Sequence, residues 1–198
     1  MKIYMEISHQ QSPSIHVGQI EYSNIEIGKS PQMLKGRLRL FQESLFFEYE
    51  GKALEEVPAI KEWIDLIKNV PFLPILSDIQ KETFIDSINS VQDLSTFFSL
   101  KYFLPILTLD ADRLKEPLLL KRSDSSHVEW IDKAGQKGLF SQSGSAQIST
   151  ETKNILQIIL FPPSISWEKS DALLQSLTKM FTQIHGGEST YHIFEKAL

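Results

Sequence analysis

Apolar and polar residues alternate at the start of the chain and again in its second half. Ile3, Met5 and Ile7 follow the two-residue period of a half-buried strand, and residues 15–22 repeat the pattern. From Leu118 onward, short apolar runs bounded by turn residues predict further strands. These cover 118–120, 127–131, 139–140, 155–161 and, as a short edge strand, 191–194. Turns are predicted between strands over 10–13, 123–126 and 132–135.

Helical spacing of apolar residues dominates the intervening segments. Ser30 and Pro31 provide a capping hydroxyl and a proline at the first helical position. The residues that then share one helix face are Leu34, Leu38, Phe41 and Leu45. We predict helices over 31–48, 57–69, 90–103 and 167–185, the last ending at Gly186. Pro71 and Pro74 predict a connector, and Pro105 closes the third helix.

The order of these elements predicts an α+β protein. The sequence has no internal repeat and no linker long enough to separate two domains. We therefore predict one domain over residues 1–198, with strands and helices in 1–70 and a core in 71–198.

The net charge and the cysteine content of the chain exclude several classes of function. The 198 residues carry 20 Lys and Arg against 25 Asp and Glu, a net charge of −5, which excludes a strongly basic nucleic-acid binder. Lys35, Arg37 and Arg39 form either a local basic patch or a solvated helix face. The absence of Cys excludes disulfides, thiolate nucleophiles and Cys-ligated metals. With no apolar run near the 20 residues that a bilayer requires and no signal peptide, we expect a cytoplasmic protein without membrane partners.

Candidate catalytic residues are sparse. The five histidines are scattered, at His9, His16, His127, His185 and His192. Asp110 and Asp112 either share a cation or cap the following turn, and capping is the favoured interpretation. We predict no bound transition metal and no cofactor.

Two segments carry a family resemblance. The first comprises residues 87–94, 99–102, 104–105 and 109–114, and the second comprises residues 148–156. In this order they resemble the tRNA-binding and editing module of the bacterial phenylalanyl-tRNA synthetase β subunit, its third and fourth domains, which also occurs as free-standing proteins. Residues 15–18 and 57–63 fit the free-standing form. The resemblance implies mixed, barrel-like β structure flanked by helices. It also implies binding of tRNA or aminoacyl-tRNA, with hydrolysis of a mischarged tyrosyl ester in trans.

The matched site lacks the groups that the family uses for hydrolysis. Where the synthetase has a Gly-Gly-Glu stretch, residues 141–145 contain no carboxylate, and Leu107 stands at the position of a family histidine. We therefore predict slow or absent deacylation. Ligand contact is predicted for the loop residues Gln142, Ser143 and Ser145, which carry donors and acceptors.

Asn89 and Asp93 are further candidates for the same pocket, which residues 89–93 and 141–145 would border. An Asn before a helix is more simply a cap, and Thr152 and Asn154 are expected to make local bonds to backbone. Three hypotheses remain open at this point: a trans-editing hydrolase, a binding module for tRNA or a small amino-acid-like ligand, and a partner-binding protein that shares only the fold. The sequence does not indicate an oligomeric state.

Overall fold

A computed structural model describes residues 1–7, 15–123 and 126–194 of the chain. The strands in these ranges are β1 (Ile3–Ile7), β2 (His16–Ser23), β3 (Ile106–Asp110), β4 (Leu118–Arg122), β5 (Val128–Asp132), β6 (Lys137–Leu139), β7 (Ile155–Phe161) and β8 (Glu188–Phe194). The α-helices are α1 (Gln32–Tyr49), α2 (Pro58–Leu66), α3 (Phe72–Ile79), α4 (Ser90–Tyr102) and α5 (Trp167–His185). The predicted turn over 10–13 and the centre of the turn over 123–126 lie outside the described residues, as does His9.

The strands form two four-stranded sheets. The first has the order β1-β4-β5-β6, with β1 parallel to β4 and the other pairs antiparallel. The second has the order β3-β7-β2-β8 and is antiparallel throughout. The protein is therefore α+β, as predicted.

The predicted barrel-like arrangement needs correction, because the described strand pairings leave both sheets open. A barrel closes only when its two edge strands pair with each other. In the second sheet these edges are β3 and β8, and β8 is suited to a free edge because most of its side chains are polar and exposed. The predicted edge position of the last strand is thus confirmed.

Most predicted elements are confirmed, and two were missed. The proline-rich connector contains α3, in which Pro71 is the N-cap and Pro74 lies in the first turn. The first backbone N–H groups of a helix have no intrahelical acceptor, so proline is tolerated there. The second missed element is β3, which directly follows Pro105, a residue that was interpreted only as the end of the third helix.

The helices cover the second sheet. Helices α4 and α5 pack on its strands, and α1 and α3 pack on α4. All seven residues of the central strand β7 are buried, which indicates that both of its faces are covered. Each sheet combines one strand from before residue 70 with strands from after residue 105, an arrangement in keeping with the proposed single domain. Among the described helices, none combines the length and the apolar character needed to cross a bilayer.

His185, at the end of α5, is buried against the aromatic ring of Phe181, and its Nδ1 donates to the Phe181 carbonyl at 2.9 Å. Burial disfavours the charged imidazolium and lowers the pKa of His185 below its usual range. The unfolded chain therefore binds this proton more readily than the folded one does. The contribution to stability is complete above the unfolded pKa of about 6.5 and is lost as the pH falls below it toward the lowered folded pKa.

We expect the free energy of unfolding to decrease between pH 7 and pH 5, with His185 contributing a slope of up to about 1.4 kcal/mol per pH unit. In His185→Gln this part of the slope should disappear, whereas His192→Gln, at an exposed position, should retain it. Urea unfolding at a series of pH values measures the difference. A slope unchanged by His185→Gln would show that other groups cause it.

Candidate functional site

The loop that follows β6 is held in place by a tryptophan beneath it. Trp130 of β5 is fully buried, and its indole N–H donates to the backbone carbonyl of Gln142 at 3.0 Å. A Cβ at Gly138 would lie 2.8 Å from the indole nitrogen, so only glycine allows this close approach. The loop over residues 141–145 therefore rests on a fixed aromatic platform.

A cleft of about 670 Å³ opens between this loop and the segment that joins α2 to α3. This volume lies within the range of about 300–1,000 Å³ that is typical of small-molecule sites. The side chains that form its apolar wall are Leu54, Ile64, Val70, Pro71, Leu73 and Pro74. Ile64 is 39% exposed there, so a ligand in the cleft would cover a large apolar side chain.

The remaining lining residues bring both charges and neutral hydrogen-bonding groups into the cleft. Lys68 provides an ammonium and Glu55 a carboxylate, and both side chains are exposed. Ser77, Ser141 and Gln142 add two hydroxyls and a primary amide. The lining contains no histidine and no hydroxyl paired with a base, so it offers binding groups without an acid–base pair.

The connector between α2 and α3 is attached to the first sheet by an asparagine. The side chain of Asn69 donates to the Val128 carbonyl at 2.9 Å and accepts from the Val128 N–H at 3.0 Å. This two-point contact reproduces a strand pairing, and it fixes the apolar wall of the cleft relative to the loop on the opposite side.

The three predicted site residues of the loop, Gln142, Ser143 and Ser145, have different surroundings in the structure. Gln142 lines the cleft together with Ser141. Ser145 turns to another partner, because its hydroxyl donates to the side-chain oxygen of Gln136. Ser143 precedes a short 3-10 turn, and its carbonyl accepts from the Ala146 N–H at 3.0 Å.

Asn89 is the N-cap of α4, as its position before a helix suggested. Its side-chain oxygen accepts from the N–H groups of Val91 and Gln92 at 3.1 and 2.9 Å. Asp93 is only 2% exposed, and its carboxylate accepts from the hydroxyls of Ser30 and Ser87. It also accepts from the Ile88 N–H at 2.9 Å.

None of the described hydrogen bonds joins residues 89–93 to residues 141–145, and residues 89–93 are not part of the 670 Å³ cleft lining. A ligand role for the two groups together stays a prediction.

The acidic pair at the end of β3 has a capping role. Asp110 accepts from the Asp112 N–H at 3.1 Å and from the Thr152 hydroxyl at 2.7 Å. Asn154 donates to both carboxylate oxygens of Asp112, at 2.9 and 3.1 Å. The capping interpretation is confirmed, and Thr152 and Asn154 join this segment to the residues before β7. Their bonds run to carboxylates as well as to backbone, which the sequence did not predict.

A smaller cleft of about 240 Å³ lies at one end of the second sheet, beside Tyr22 and Asn154. It contains the carboxylates of Glu21 and Glu188, and Glu21 pairs with the amino terminus at 2.6 Å. Its volume is below the usual range for small-molecule sites. Within residues 1–7, 15–123 and 126–194, no three His, Asp or Glu side chains are grouped so that they could hold a metal ion.

Sequence reasoning missed the α2–α3 side of the cleft. Lys68 and Asn69 of the connector, and Glu55 before α2, follow no motif, and they line one cleft with the loop only because distant parts of the chain pack together. The available signal was weak: Lys68 and Asn69 lie in a connector between two helices, and connectors often carry binding residues.

Comparison with known proteins gives a sequence relative and structural neighbours. No model of a known protein family matches the chain. A protein of Bacillus subtilis (strain 168) described as "Uncharacterized protein YhzB" is 44% identical over 194 residues, which cover 92% of this chain and 94% of the relative.

One structural neighbour is the crystal structure of an N-terminal fragment of the phenylalanyl-tRNA synthetase β subunit from Pyrococcus horikoshii. It aligns with a TM-score of 0.45 and 10% sequence identity over 95% of this chain. The aligned part is 50% of that fragment, so the chain spans half of its length.

Proposed function

This chain belongs to the family of the Bacillus subtilis protein YhzB, and we propose that it binds an amino-acid-like ligand in the 670 Å³ cleft without hydrolysing it. The ligand is a free amino acid or the aminoacyl end of a charged tRNA, which share an ammonium group, a carbonyl carbon and a side chain. The observation that supports this most is the position of Ser141 and Gln142 at an apolar cleft that also contains Lys68 and Glu55.

The chemistry of the cleft matches the parts of such a ligand. Glu55 can accept from an α-ammonium, and Lys68 can donate to a carboxylate. The wall formed by Leu54, Ile64 and Leu73 suits an aliphatic or aromatic side chain. The Gln142 amide makes no hydrogen bond with another described side chain, so it is available to a ligand carbonyl or hydroxyl.

Hydrolysis is not part of the proposal, because the lining has no histidine and its single carboxylate, Glu55, is used to bind the α-ammonium of the ligand rather than to activate water. Leu107, at the position of a family histidine, is buried in β3 rather than at the cleft. A positioned acid or base typically contributes about 10²–10⁴-fold to the rate of such a reaction.

Binding is tested by calorimetric titration of L-phenylalanine, L-tyrosine and L-leucine, with glycine as the ligand that lacks a side chain. We expect the three larger amino acids to bind and glycine to bind more weakly, because glycine covers no apolar wall. Gln142→Ala should weaken binding about 5- to 10-fold, the effect of one lost hydrogen bond of about 1 kcal/mol. Gln147→Ala is the matched control, since Gln147 is exposed in the following segment and outside the cleft lining.

The charged-tRNA source is tested separately with Tyr-tRNA(Phe) and uncharged tRNA(Phe), by filter binding and single-turnover deacylation. Preference for the charged form, with ester loss at the spontaneous rate, supports binding of the aminoacyl end. Rapid, Tyr-selective hydrolysis would instead restore the trans-editing hypothesis. Equal affinities of wild type and Gln142→Ala for every ligand would show that the loop is not the site.

A further inference from the structure

Helix α1 exposes a line of large apolar side chains on the side away from the core. Its buried residues Leu38 and Leu45 face the protein, whereas Met33, Leu40 and Phe47 are 65%, 67% and 76% exposed. These three residues are spaced by seven, so each is rotated by only about 20° from the previous one around the helix. They form one stripe parallel to the axis, which we name the α1 stripe.

Charges divide the same helix into two halves. The amino-terminal half carries Lys35, Arg37 and Arg39, and the carboxyl-terminal half carries Glu43 and Glu48. Two parallel copies of α1 would set like charges against each other. Two antiparallel copies would set each basic half against an acidic half and would also oppose their helix dipoles favourably.

The spacing of the stripe is symmetric about Leu40. Met33 lies seven residues before it and Phe47 seven residues after it. A two-fold axis beside Leu40 therefore places Leu40 against its own copy and Met33 level with Phe47 of the second copy. A surface that matches itself under this rotation is what an isologous dimer requires.

Small residues next to Leu40 allow the two helices to approach. Gly36 and Ser44 lie four residues before and after Leu40, on the same side of the helix. No heavy atom beyond its own helix lies within 4 Å of the place where a Cβ of Gly36 would stand. A second helix can thus pack closely at these two points, with Leu40 between them.

From these observations we propose that the protein forms a homodimer in which the α1 stripes of two copies pack antiparallel. A single helix pair buries less than the standard interface of about 1,600 Å², so the dissociation constant is expected to be micromolar.

The basic patch recognised in the sequence then has a different role from RNA binding. Arg39 is held by Glu43 at 2.7 Å and lies 4.2 Å from the Phe84 ring centre, which leaves Arg37 to face the second copy.

The experiment is sedimentation velocity of the full chain at low and high micromolar concentration. We expect the weight-average mass to rise toward that of two chains. Leu40→Glu places two carboxylates together at the two-fold axis and should weaken association at least about tenfold. The matched control is Ile88→Glu, an equal change at a residue that is 72% exposed and outside α1.

A charge exchange distinguishes antiparallel pairing of the two helices from nonspecific hydrophobic association. Arg37→Glu should weaken the dimer, and adding Glu48→Arg should restore it, because the two exchanged side chains again carry opposite charges. Circular dichroism and melting curves of each variant confirm folding, and amino-acid binding in the cleft should stay unchanged. The proposal is overturned by a monomer at all concentrations or by equal association of Leu40→Glu and wild type. It is also overturned if Arg37→Glu affects only tRNA binding, which would assign the patch to RNA.

Discussion

Trp130→Ala is expected to lower the free energy of unfolding by about 3–5 kcal/mol, the usual cost of removing a fully buried tryptophan. The indole fills the space beneath the loop over residues 141–145, and Gly138 approaches it closely. Its removal leaves a cavity and frees the Gln142 carbonyl from its donor. Urea unfolding monitored by far-UV circular dichroism measures the loss.

Trp130→Phe separates the packing role from the positioning role. The phenyl ring keeps most of the packing but cannot donate, so the hydrogen-bond loss should cost only about 1 kcal/mol. Amino-acid affinity should nevertheless fall, because the backbone that carries Gln142 is no longer fixed. Trp167→Phe, at a position that is 40% exposed, serves as the control and should change stability by no more than about 0.5 kcal/mol. Unchanged affinity in Trp130→Phe would show that the loop needs no anchor.

Asp93→Ala is expected to destabilise the protein by about 2–4 kcal/mol and to leave the intrinsic ligand affinity of the folded protein unchanged. The carboxylate accepts hydrogen bonds from Ser30, Ser87 and Ile88. It therefore connects the segment that precedes α1 to the segment that precedes α4. A hydrogen bond to a charged group contributes about 1.5–3 kcal/mol, but the loss is smaller than the sum of three such bonds because the cost of burying the carboxylate is removed with it. The buried Ser30 hydroxyl would be left without its acceptor.

Asp93→Asn keeps the shape and one carbonyl oxygen, so a smaller loss of about 1–2 kcal/mol is expected. Chemical denaturation gives the stability, and calorimetry at a temperature where each variant is folded gives the affinity. A variant of near-native stability that binds no amino acid would instead identify Asp93 as a ligand-binding residue.

Local patterns in the sequence predicted most of the elements but not their pairing. The apolar spacing of α1 and the buried run of β7 predicted both elements closely, since burial of one face leaves a periodic trace. Which strands share a sheet depends on contacts between distant segments. The sequences of β1 and β2 therefore do not indicate that the two strands belong to different sheets.

The candidate site shows the same division. Gln142 was identified from its loop and from the family resemblance, and it lies at the cleft. Lys68 and Glu55 were not identified, because single charged residues in connectors are common and only the tertiary packing brings these two together. Asn89 was correctly interpreted as a cap, because an N-cap is a local feature that the sequence carries.

The most direct test of the proposed ligand site is an NMR titration of the isotope-labelled full chain with L-phenylalanine, read residue by residue. We expect saturable amide and side-chain shifts at Gln142, Lys68 and Leu73, with the Gln142 side-chain amide among the largest. Amides of α4 around Asn89 and Asp93 should move little. Saturable shifts centred on residues 89–93, with none at the loop or the α2–α3 connector, would contradict the proposed site.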